Sequence, residues 1–135
     1  MGMYTEIVVK ISLVDSLDEK TTKILEYLFG EGEEIPKEDL PDHEFFTKER
    51  WDFIGHCSSY YHHPVKCNSI VYDKYTKGRE YYPLYIFSRS DIKDYSGEIK
   101  SFFDWIDQYV DSPSGQCIGY SWYEEESQPT LVFKK

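Results

Sequence analysis

A chain of 135 residues, 40% apolar and 18% aromatic, is long enough to bury a core without disulfides or metal and too apolar to be disordered. Its formal net charge of −10 disfavours a direct grip on nucleic acid or on an anionic membrane. No apolar run approaches the roughly 20 residues that cross a bilayer. The expectation is one α+β domain over residues 1–135.

In chain order, Ile7, Val9, Ile11 and Leu13 alternate with polar residues and predict a half-buried strand over 4–13. Ser16 and Glu19 have capping-box spacing, Ile24, Leu25 and Leu28 follow at helical spacing, and Gly30 is the expected stop. Residues 31–44 carry two prolines and seven carboxylates and read as an exposed acidic loop. A second helix is expected over 48–59, with Trp51, Ile54 and Ser58 on one face. NSIVYDKY and YYPLYIFSRS predict two strands joined near Gly78, Pro83 pointing to a sheet edge. Ser96 is the expected cap of a helix carrying Ile99, Phe102, Phe103, Ile106 and Val110, which DSPSG ends. CIGYSWY and TLVF, separated by EEESQP, predict a closing hairpin. The order β-α-α-β-β-α-β-β implies helices on one face of a single-layer, mostly antiparallel sheet, with a ferredoxin-like core plus additions as the specific expectation.

Charge is unevenly spread. Residues 31–49 hold eight acids against two basic residues, and 91–111 six against two, whereas 61–89 holds five basic residues against two acids. The two acidic stretches nominate Glu33, Glu34, Asp39, Asp42, Glu44, Asp104 and Asp107 as contacts for a basic protein partner.

The run IGHCSSYYHHPVKCN places Cys57, His62 and Cys67 in C-x4-H-x4-C spacing, the last three ligands of a zinc knuckle. The missing first ligand falls on Ile54, which binds no metal, so no metal and no cofactor are expected. Cys57 beside His56 on a helix would point away from it, and no G-x-G-x-x-G, Walker A, H-E-x-x-H or G-x-S-x-G occurs, so an enzyme is not expected either. Seven of the thirteen tyrosines lie between residues 60 and 85, in the basic stretch. Rings beside cations hold bases and phosphates, so Tyr60, Tyr61, His62, His63, Tyr72, Lys74, Arg79 and Tyr81 form an alternative nucleotide site.

MYTEIVVKISL at the start, EIKSFFDWIDQYV in the last long helix and IGYSWYEEESQPTLVF at the end resemble small acidic phage-encoded proteins of unknown function. The resemblance implies a viral accessory protein that antagonises host defence, and it supplies no catalytic residues. The expected function is then non-catalytic binding and inhibition of a host protein, one that itself binds nucleic acid being the natural match for the acidic charge. A sponge for a nucleotide signal is the alternative, and a small structural or interaction protein a further one. Three cysteines leave at least one unpaired, and MGMYTE lacks the layout of a signal peptide, so the cytoplasm of a bacterial host is the expected location.

Overall fold

The structure is a computed structural model that describes residues 3–30, 39–56, 67–73 and 82–135. Five antiparallel strands, β1 (Thr5–Ser12), β2 (Cys67–Asp73), β3 (Tyr82–Ile92), β4 (Cys117–Tyr123) and β5 (Thr130–Phe133), form one sheet in the order β2-β3-β1-β4-β5. Among the described residues two α-helices, α1 (Glu19–Phe29) and α2 (Glu98–Ile106), complete an α+β fold. Among the described residues no helix is long and apolar enough to cross a membrane.

Alternation along β1 sets the layers. Ile7, Val9 and Ile11 point to one face, where Ile86 and Ile92 of β3 join them, and all five are at most 1% exposed. Ile24, Leu25 and Leu28 of α1 and Ile99, Phe102 and Ile106 of α2 close over that face in one continuous core. Burying each such side chain is worth roughly 1.5–3 kcal/mol. The helices therefore share a face, as their amphipathic spacing requires.

Caps differ from the sequence expectation. Asp18, rather than Ser16, caps α1, its Oδ1 accepting from the Thr21 amide at 2.6 Å. Gly30 ends α1 as expected, its amide donating to the Glu26 carbonyl. Ahead of α2, Ser96 does not cap. Asp94 Oδ1 accepts from the Ile99 amide, and the buried Glu98 reaches back to accept from the Ser96 amide. The longer carboxylates reach amides that a serine hydroxyl one residue from Gly97 does not.

The second helix expected over 48–59 is absent from its described part. Residues 44–47 and 51–53 are short 3₁₀ turns, so the described order is β-α-β-β-α-β-β. Gly55 explains the break: at φ +82 it adopts a left-handed conformation, and a Cβ there would collide with the Leu28 carbonyl. The segment is nonetheless core. Phe45 and Phe46 fit edge-on and stacked against Trp51, Phe102 and Trp105, with ring centroids 4.9–5.9 Å apart. The second Glu98 oxygen accepts from the Arg50 amide and ties the segment to α2.

Pro83 also departs from expectation, because β3 lies inside the sheet and not at its edge. It pairs with Tyr72 beside the irregularity at Val71/Tyr72, and stands beyond the last β1 pair, Ser12 with Tyr85. No inner ladder bond is lost there.

Candidate functional site

The other face of the sheet is built by the residues that alternate away from the helices. From β2 come Cys67, Ser69 and Val71; from β3, Tyr85, Phe87, Arg89 and Asp91; from β1, Glu6, Val8 and Lys10. Tyr120 and Trp122 of β4 stand opposite Val8 and Glu6, and Leu131 of β5 stands opposite Tyr120. Val71, Tyr85, Phe87, Leu131 and Phe133 are 36–51% exposed. So many large apolar side chains on one face exceed the scattered singles that a surface ordinarily shows.

Beneath them lies a charged network. Arg89 donates from Nε to Glu6 Oε2 at 2.7 Å, and in a fork from both terminal nitrogens to the two oxygens of Asp91 at 3.0 Å. The Tyr120 hydroxyl donates to Glu6 Oε1 at 2.8 Å. Glu6 is 6% and Asp91 0% exposed. The planar guanidinium suits this role, since one rigid fork serves two carboxylates at once. A cavity of about 480 Å³ sits over this network, walled by Val8, Phe87 and Leu131, with Lys10 at its side. Polar atoms that are already mutually bonded present a fixed floor under apolar walls, and the free thiol of Cys117 completes the lining.

The acidic candidates fall in a different pattern. Asp39 pairs with Lys20 at 3.2 Å and Glu44 with Lys48 at 3.1 Å, both carboxylates remaining well exposed. Asp104 and Asp107 take Lys135 at 2.8 Å and Lys134 at 2.9 Å, which fastens the end of β5 to α2. Burial pushes the Asp107 carboxyl up, but bonds from the Lys135 amide and the Lys134 ammonium outweigh it and hold the pKa below the usual value. Asp91 and Glu98, from the same stretch, are buried. Asp42 is exposed. Glu33 and Glu34 lie outside the described residues.

Of the alternative nucleotide site, Tyr60, Tyr61, His62, His63, Lys74, Arg79 and Tyr81 lie outside the described residues, as do Cys57 and its place in the knuckle spacing. Tyr72 is described, and its hydroxyl donates to Glu26 of α1 at 3.0 Å, on the helix side of the sheet. Tyr85 is on the opposite face. Strand alternation thus puts these two tyrosines on opposite faces.

Two phenols report on this architecture. Burial first, then a bonded carboxylate, raises Tyr72 and Tyr120 from 10.0 to about 12, Glu26 acting on the one and Glu6 on the other. A folded-state phenol pKa above its unfolded value stabilises fully below pH 10 and loses that contribution as pH rises toward 12. Urea titrations between pH 9 and 12 should therefore show a steeper loss of stability in the wild type than in a Tyr72→Phe/Tyr120→Phe variant. Equal slopes would mean that neither hydroxyl is held as described.

The open face was hidden from the sequence because β3 reads as a continuous apolar run, with no alternation to mark Tyr85 and Phe87 as outward. Glu6, Arg89 and Asp91 carried a signal, charges inside strand patterns; alternation already puts Arg89 and Asp91 on one face, and the pairing register brings Glu6 to them. Comparison of the chain with protein-family models, curated proteins and solved structures found no match.

Proposed function

We propose that this chain is a non-catalytic binding protein that holds a basic protein partner on the uncovered face of its sheet. The observation that carries the reading is the set of exposed apolar side chains on that face, Val71, Tyr85, Phe87, Leu131 and Phe133, of which Phe87 and Leu131 wall a cavity with a prebonded floor. A net charge of −10 speeds encounter with a basic partner, while desolvated aromatic and aliphatic anchors hold it. On the resemblance to small acidic phage-encoded proteins, the partner is a host defence protein with a nucleic-acid-binding surface. The sheet order β2-β3-β1-β4 with both helices on one face supports a ferredoxin-like core, β5 being the addition.

The test is capture from bacterial lysate by the wild type and by Phe87→Glu and Leu131→Glu, each variant checked for folding by circular dichroism. A basic protein retained by the wild type, released by salt, and bound roughly 30-fold more weakly by either variant is the expected result, since a central anchor is worth about 2 kcal/mol. Equal retention by all three proteins would end the reading.

A further inference from the structure

A second cavity, of about 280 Å³, opens on the helix side of the sheet, between the loop ahead of α2 and the turn from β4 to β5. Among the described residues its wall holds five that carry a hydroxyl, Tyr95 and Tyr123 among them, together with Asp94 and Glu126. Among the described residues no lysine, arginine or histidine is in its wall. Neither carboxylate makes an ion pair among the described residues. Asp94 uses Oδ1 to accept from the Ile99 amide, which fixes the group in place. Burial, then Glu125 and Glu124, pushes the Tyr123 phenol above its ordinary value, a sign of the negative field that the turn creates.

From this lining we infer that the cavity is a socket for a guanidinium group, and that its occupant is an arginine side chain that the protein partner extends from the open face round the β4–β5 turn, where the Glu126 carbonyl accepts from Trp122 of that face. The occupant's identity rests on the function proposed above; the chemistry of the socket does not. Three observations select a guanidinium. Two unpaired carboxylates ask for a cation. A divalent metal needs more, typically six to eight oxygens for calcium, and no group of three or more His, Cys, Asp or Glu side chains among the described residues could hold a metal. Finally, the Tyr95 ring already carries one guanidinium, that of Arg50, 5.2 Å from its centroid, and Tyr95 remains 57% exposed. A flat, weakly hydrated cation can lie along a phenol ring and bond carboxylates in its plane, which an ammonium does less well.

The experiment needs no partner. Amide resonances of the full chain are followed by NMR during titration with N-acetyl-arginine amide, with its neutral isostere N-acetyl-citrulline amide, and with calcium chloride. The arginine derivative should shift Tyr95, Ser121 and Tyr123 saturably, with the isostere and calcium leaving them in place. Glu126→Gln, on the exposed turn, should weaken that binding by about fivefold, the worth of a solvent-exposed ion pair of about 1 kcal/mol. Shifts of equal size from the isostere, saturation by calcium, no shift with arginine, or an unchanged affinity in Glu126→Gln would each overturn the proposal. Success here with failed capture from lysate would leave the socket standing and remove the partner. The reverse outcome would leave the open face standing and remove the socket.

Discussion

Replacing Arg89 with methionine is expected to cost the fold about 3–5 kcal/mol, a large share of the roughly 5–15 kcal/mol that holds a domain together. The side chain is 12% exposed and is bonded to two carboxylates that are themselves buried. Removing it leaves the negative charge of two largely inaccessible carboxylates without its cation. In a chain of this size such a loss lowers Tm by roughly 10 °C or more. Urea denaturation checks the value, and a loss under about 1 kcal/mol would show that water reaches Glu6 and Asp91 freely. A companion variant makes the cause visible: adding Glu6→Gln and Asp91→Asn to Arg89→Met removes the uncompensated charge and should recover part of the loss. If packing of the arginine stem were the cause, the added substitutions would recover nothing.

Phe45→Ala should cost about 3–5 kcal/mol, although the residue lies in a stretch with no regular helix or strand. Phe45 is fully buried and its ring meets Phe46, Trp51, Phe102 and Trp105 at 4.9–5.9 Å. No single neighbour can move to fill the space without leaving its own contacts. Near-ultraviolet circular dichroism should change along with the urea midpoint, because Trp51 and Trp105 both lose a ring neighbour. A loss below about 1 kcal/mol with an unchanged aromatic spectrum would mean that residues 39–56 dock loosely on α2.

These two sites also mark where the sequence could and could not be read. β1, α2, β4 and β5 were legible because each announces one period: Ile7, Val9 and Ile11 at two, Ile99, Phe102, Phe103 and Ile106 at three and four, and two short runs around an acidic turn. The stretch after Phe45 was not. Trp51 and Ile54 are buried as helical spacing implied, but spacing of three serves a 3₁₀ turn as well, and the left-handed backbone of Gly55 was decided by the approach of the Leu28 carbonyl. The charge runs divide for a related reason. Composition counts a carboxylate as surface, while Asp91 and Glu98 find buried donors and Asp104 and Asp107 find lysines near the end of β5. Asp91 finds Arg89 two positions away, but Arg50 lies 48 positions from Glu98 and the lysines lie 27 and 31 positions from Asp107 and Asp104, beyond the reach of a local window.

The sheet order has a consequence for the birth of the molecule. β1 is made first and sits at the centre, yet both of its neighbours are encoded far downstream: Thr5 pairs with Ile92 on one side and with Tyr123 on the other. A ribosome adding about 5–20 residues each second leaves the Ile7, Val9 and Ile11 row without a partner strand for several seconds. Closing such distant pairs is slow, and the strand is exposed to wrong partners meanwhile. α1 can form locally beside β1 in that interval, with Asp18 and Gly30 marking its ends. Yet α1 packs chiefly against β2 and β3, so its seat is completed only when those later strands arrive, and until then the central row waits uncovered.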